Sequence, residues 1–185
     1  YAKKLYVNGD LVENLVIPEG VTEIASHAFN DYMWLTSITL PKSLRKIGEY
    51  AFYGCGYLSE IIIPEGLTEI GEYAFHWCKR LISITLPKSL RKIGEYTFYG
   101  CENLSEVHIS DVAAWCEIEF HSNSNPLYYA KNLYLNNELV TTLVIPEGVT
   151  EISAYAFQEC RSLTSITLPK SLRKIGGGSF GTRGC

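Results

Sequence analysis

The sequence predicts a β-rich solenoid, a single stack of short coils. Three observations carry that expectation. Pro18, Pro41, Pro64 and Pro87 fall 23 residues apart, and so do Pro146 and Pro169. Phe29, Phe52, Phe75 and Phe98 keep the same step, as do Phe157 and Phe180. Residues 40–55, LPKSLRKIGEYAFYGC, return as residues 86–101 with one change, Ala51 against Thr97. Units of this length cannot bury an apolar face alone and gain a continuous core only by stacking.

Within one unit Leu35, Ile38 and Leu40 precede the proline, and Leu44, Ile47, Ala51 and Phe52 follow it. LTSITLP at 35–41 alternates like a short strand stopped by proline. The rest is too broken by glycine and small polar residues for a full helix. Residues 1–17 read as an N-terminal hairpin and first strand, because LYVNGDLV at 5–12 sets Asn8-Gly9 between apolar runs. Residues 18–109 hold four coils. Residues 110–145 form an insertion. There Ser110 is the expected helix N-cap with Asp111 in the first turn, and Val112, Trp115 and Cys116 follow helical spacing. LYLNNELV at 133–140 supplies a second hairpin, and helix and hairpin together are expected to shield the seam between repeat blocks. Residues 129–152 restart the text of residues 1–24, and 146–185 resume the repeat, incomplete at KIGGGSFGTRGC. Residues 1–185 form one solenoid domain on this reading, and an uncapped last coil would favour end-to-end association with a second molecule.

The pattern LxxIxLP at a 23-residue step, and the longer text IPEGLTEIGEYAFHWCKRLISI at 63–84, resemble the BspA-type (Treponema pallidum-type) leucine-rich repeat. The resemblance covers nearly the whole chain, and six of seven units carry the proline. It implies a leucine-rich repeat solenoid wound as a right-handed superhelix. Parallel strands would line one face, with β or irregular segments on the other. It also implies a non-catalytic binding or adhesion module of an extracellular or cell-surface protein, since BspA-like proteins include surface adhesins.

Charge alternates along the repeat. Lys42, Arg45 and Lys46 are followed 23 residues on by Glu65, Thr68 and Glu69, and then by Lys88, Arg91 and Lys92. Equivalent residues of adjacent coils lie about 5 Å apart, so uniform lysine would stack like charges. Alternation gives two ladders of opposite sign, Glu19-Lys42-Glu65-Lys88 and Glu23-Lys46-Glu69-Lys92. Exposed pairs contribute only about 0.2–1 kcal/mol each, so the expected role is register rather than stability. Alternating signs also cancel into no coherent field for a charged ligand.

The remaining chemistry is sparse. Cys55, Cys78, Cys101 and Cys160 all stand three residues after a phenylalanine, one column of the stack. A column does not converge on a metal, and buried free thiols behave as small hydrophobes. Cys116 reads as a core residue of the insertion, and Cys185 as a terminal thiol. The four histidines match no HExxH motif and no triad order. Gly176, Gly178 and Gly181 satisfy G-x-G-x-x-G, but they align with IGEYAFYG of the repeat and open no helix after a strand. No catalytic, metal or cofactor-binding residue is therefore assigned. A net charge of −4 argues against nucleic acid, and no apolar run is long enough to insert in a membrane. The chain opens on Tyr1 rather than Met, which reads as a processed or excised piece.

Function is expected where the coils differ. The five residues after each phenylalanine read NDYMW, YGCGY, HWCKR, YGCEN and QECRS. They give a candidate partner-binding edge of Tyr32, Trp34, Tyr53, Tyr57, His76, Trp77, Arg80 and Tyr99, residue types that anchor protein interfaces. A second candidate surface, the strand face, carries Glu60, Ile62, Glu106 and His108. The partner class is a protein or a glycan. The competing expectation is a stiff spacer presenting another domain of a longer parent, because near-identical repeats carry little information for recognition.

Overall fold

The computed structural model describes residues 6–7, 10–121 and 123–182. The Asn8-Gly9 turn and Cys185 lie outside the described residues, while the strands beside that turn, Tyr6–Val7 and Asp10–Leu11, pair antiparallel. Two parallel ladders run along the stack. In the first, strands of three or four residues pair coil to coil. Asn14–Val16 meets Ser37–Thr39. Glu60–Ile62, Ser83–Thr85, Glu106–Ile109 and Leu133–Leu135 follow in succession, and Thr142–Val144 then meets Ser165–Thr167. The middle residue of each interior strand points inward, so Ile61 and Ile84 are buried while their neighbours face out. The second ladder is made of two-residue strands, from Glu23–Ile24 through Lys46–Ile47, Glu69–Ile70 and Lys92–Ile93 to Glu119–Phe120. Glu151–Ile152 pairs with Lys174–Ile175 in the same manner.

The core between the ladders is built from columns. Phe29, Phe52, Phe75 and Phe98 stack face to face with centroids 5.3, 5.3 and 5.6 Å apart. Such pairs add about 0.5–1.5 kcal/mol each beyond the area they bury. The cysteine column lies beside them, reduced and buried. Three of the four thiols donate to the phenylalanine carbonyl one coil back, Cys55 to Phe29 at 3.3 Å, Cys78 to Phe52 and Cys101 to Phe75 at 3.2 Å, while Cys160 lies 3.8 Å from the Ser162 hydroxyl. The one difference between the repeated sixteen-residue texts is also accommodated. Thr97 is fully buried, and its hydroxyl donates to the carbonyl oxygens of Gly94 at 2.7 Å and Gly71 at 3.0 Å.

The charge rhythm turns out to organise the turns. Register aligns Glu23 with Lys46, Lys46 with Glu69 and Glu69 with Lys92, the second expected ladder. Ion pairs form from Lys46 to Glu69 at 3.6 Å and from Lys174 to Glu151 at 2.6 Å. The first expected ladder behaves differently. Glu19 accepts a hydrogen bond from the backbone N–H of Lys42 at 3.2 Å, and Glu147 does the same for Lys170 at 3.1 Å. These carboxylates satisfy a turn rather than an ammonium group. Where a basic coil follows an acidic one, a serine joins the two turns. Ser89 accepts from the Gly66 N–H at 2.9 Å and donates to the Leu67 carbonyl at 2.7 Å, and Ser43 and Ser171 repeat the motif. Where an acidic coil follows a basic one, arginine takes over. Arg45 Nη1 donates to the carbonyl oxygens of Lys42 at 2.9 Å and Leu44 at 3.0 Å, packed under Gly66.

The insertion is an enlarged coil rather than a flap. Its helix α1, Val112–Cys116, buries Val112, Trp115 and Cys116 as expected. The N-cap is Asp111, not Ser110: Asp111 is extended and its Oδ1 accepts from the Ala114 N–H at 2.9 Å. A second helix α2, Leu127–Ala130, follows after Glu119–Phe120 has joined the second ladder. Leu133–Leu135 and Glu138–Leu139 then form the expected hairpin, with Asn136 and Asn137 at φ 51° and 69°. In regular coils the carbonyl before each phenylalanine accepts from the preceding coil, as Ala74 does from the Phe52 N–H at 2.8 Å. At the seam, side chains replace that donor, because Trp115 Nε1 and Asn125 Nδ2 both reach the Ala156 carbonyl at 2.9 Å. At the far end Ile166, Leu168, Ile175 and Phe180 stay partly exposed.

Candidate loop-edge site

The loops after the second ladder form a hydrogen-bonded stack of their own. The Tyr50 N–H donates to the Glu72 carbonyl at 2.9 Å, Phe52 to Ala74 at 2.8 Å and Gly54 to His76 at 2.8 Å. This path requires left-handed residues at fixed places, and Tyr50, Tyr73 and Tyr96 adopt φ of 55°, 54° and 53°. A bulky side chain there costs about 1–2 kcal/mol, so neighbouring contacts must hold it.

Ring stacking supplies those contacts in three files. The first is His27, Tyr50, Tyr73 and Tyr96, with centroids 4.9, 4.8 and 5.3 Å apart. The second is Tyr53, His76 and Tyr99, at 5.1 and 5.2 Å. In the third, Trp34 stacks on Tyr57 at 5.9 Å and the Arg80 guanidinium covers the other side of Tyr57 at 4.2 Å. Trp77 lies tilted against Tyr53 and His76. Its ring occupies the space over Gly100, where an added Cβ would come within 2.1 Å of it. The tryptophan of HWC therefore needs the glycine of YGC one coil on.

Seven of the eight expected edge residues come together here: Trp34, Tyr53, Tyr57, His76, Trp77, Arg80 and Tyr99. Trp77 and Tyr99 are the most open of the aromatics, 47% and 43% exposed. Tyr32 is corrected. It is 4% exposed, and its hydroxyl donates to the Val12 carbonyl. Tyr32 stands three residues after Phe29, in the cysteine column that faces the core. His76 is sandwiched between rings, and desolvation lowers its pKa, partly opposed by a contact with the Tyr96 carbonyl at 3.3 Å. The file His27, Tyr50, Tyr73 and Tyr96 was missed from sequence, because a tyrosine that hardly varies between coils reads as scaffold.

On the strand face Glu60 and Ile62 are exposed, and a depression of about 540 Å³ lies between Ser37–Leu40 and Glu60–Ile62. Glu106 and His108 are half-buried, 3.0 Å apart, and His108 stacks on Tyr134 at 4.8 Å. Strand face and loop edge are separate surfaces. Among the described residues no group of three metal-ligating side chains converges, and no helix is long and apolar enough to cross a membrane.

Stacked rings cover one another's faces and offer rims and hydroxyls to solvent.

The family profile described as BspA type leucine rich repeat region matches this chain in six copies, over residues 2–127 and 128–183. A crystal structure of a leucine-rich repeat protein of T. pallidum is 29% identical, with a TM-score of 0.59, over 89% of this chain and 73% of that one. A leucine-rich repeat protein from Eubacterium ventriosum is 25% identical, with a TM-score of 0.67. It matches over 96% of this chain and 45% of its own length, so the present chain spans less than half of it. Among curated proteins no significant sequence match is found.

Proposed function

Because this chain belongs to the BspA-type leucine-rich repeat family, we propose that it is a non-catalytic module that binds a protein partner through its aromatic loop edge. The observation that carries this reading is the gathering of Trp34, Tyr57, Arg80, Trp77, Tyr53 and Tyr99 on one side of the stack. Tryptophan, tyrosine and arginine dominate the energetics of protein interfaces, and here neighbours already hold them in place. Preorganised side chains lose less entropy on binding than free ones. The same family relationship supports an extracellular or cell-surface setting.

A second reading, a rigid spacer, is favoured by the near identity of residues 40–55 and 86–101. The two separate on one experiment. Wild type and a Trp34→Ala, Tyr57→Ala, Trp77→Ala variant are compared on an array of proteins and glycans. Since Trp34 is half-buried, an Arg80→Ala, Tyr99→Ala variant runs in parallel. Binding to protein features that falls at least about tenfold in both variants supports the edge. Unchanged capture, or wild-type capture confined to glycans, overturns it.

A further inference from the structure

We propose that the seam between the insertion and the second repeat block is a docking slot for an arginine side chain of a protein partner. The template is internal. Where the acidic coil at Pro64-Glu65-Gly66 follows a basic coil directly, the Arg45 guanidinium fills the space below Gly66. Its Nη1 donates to Lys42 and Leu44 carbonyls at 2.9 and 3.0 Å and would lie 2.7 Å from a Cβ placed on Gly66. Arg91 repeats the geometry against the insertion, donating to Lys88 and Leu90 carbonyls at 2.8 and 3.0 Å, with Nη2 3.9 Å from Glu117.

The acidic coil at Pro146-Glu147-Gly148 has a different predecessor. It follows α1 and the insertion, which present no arginine there. No atom lies within 4 Å of a Cβ placed on Gly148. A cleft of about 330 Å³ opens at this place, lined by Cys116, Glu117, residues 148–151 and Ser153. The lining carries two carboxylates. Glu151 pairs with Lys174 at 2.6 Å, while among the described residues Glu117 has only the long contact to Arg91 at 3.9 Å. Each carboxylate accepts several hydrogen bonds, so both keep capacity for a further donor.

A guanidinium is the group this space fits. Its planar fork of five N–H donors pairs with carboxylates in a way that an ammonium does not, and the same stack already uses a guanidinium at the equivalent turn. The slot lies away from the aromatic edge, so it stands or falls independently of that site.

The test follows backbone amide NMR signals of the whole chain during titration with N-acetyl-arginine methylamide, with the lysine analogue as comparison. Saturable shifts are expected at Gly148, Thr150, Glu151 and Ser153, with the arginine probe about fivefold tighter than lysine. Glu117→Gln, at an exposed helix end, should weaken the arginine probe about fivefold. Glu117→Arg should abolish the saturable shifts by filling the slot from within. Glu65→Gln, beside the slot that Arg45 already fills, should change nothing. Equal response to both probes, no saturable shift, or full binding by Glu117→Gln would each overturn the proposal.

Discussion

Replacing Ser89 with alanine removes the hydroxyl that joins an acidic turn to the basic turn above it. Ser89 accepts from the Gly66 N–H at 2.9 Å and donates to the Leu67 carbonyl at 2.7 Å, in a half-buried position. Each such neutral bond contributes about 0.5–1.5 kcal/mol, and alanine leaves both backbone groups without their partner. Water reaches part of the site, which trims the sum to about 1–2 kcal/mol. For a domain of this size that corresponds to about 3–6 °C in melting temperature. Ser43→Ala and Ser171→Ala delete the same motif at more exposed positions, so each should cost less. Urea unfolding followed by circular dichroism measures all three, with Ser83→Ala on the strand face as control. If Ser89→Ala stays within about 0.5 kcal/mol of wild type, or Ser83→Ala costs as much, serine does not link the turns as described.

Gly100→Ala should cost about 1–2 kcal/mol, because φ is +80° and the new methyl would strike the Trp77 ring; a shifted tryptophan fluorescence maximum reports the displaced indole. His76 gives a pH signature. Burial lowers its folded pKa below that of the unfolded chain, so the unfolded state takes up the proton first. Stability contributed by neutral His76 is complete above the unfolded pKa and is lost as pH falls through about 6.5 toward the folded value. His76→Gln should therefore flatten the change in urea midpoint between about pH 7.5 and 5.5. The thiols of Cys55 and Cys101 are pushed up to about 12 by burial. They should resist Ellman's reagent in the native state and react fully in urea.

Most of the architecture was readable because a fixed step turns sequence position into spatial column. Pro64, Phe75 and Cys78 could each be placed from their equivalents one coil away. The same logic would have placed Tyr32 in the core, had its offset from Phe29 been weighed above its residue type. Identity between coils hid the opposite feature. Tyr50, Tyr73 and Tyr96 look like scaffold when repeated, yet the left-handed backbone and the stacked rings put them on the surface file beside Tyr53. Residues 110–128, the first part of the insertion, were the least legible because they have no second copy. Nothing local distinguishes Ser110 from Asp111 as the cap, since both residue types serve. That Glu119–Phe120 would extend the second ladder depends on register with Lys92 and Ile93, a long-range fact. The alternation of charge is legible as pattern, but its contacts are not: Lys46–Glu69 and Lys174–Glu151 form ion pairs, whereas Glu19 and Glu147 satisfy turn backbone instead.

The central claim, recognition of a protein partner by the loop edge, is tested most directly by mapping one binder. A binder is selected against the wild-type chain from a displayed protein library, and its affinity is measured for two variants of matched stability. One is Tyr57→Ala, Trp77→Ala on the edge, and the other is Glu60→Ala, Ile62→Ala on the strand face. The account predicts a loss of at least about 2 kcal/mol for the edge variant and little change for the strand-face variant. Loss confined to the strand-face variant, or equal affinity for both, would contradict it.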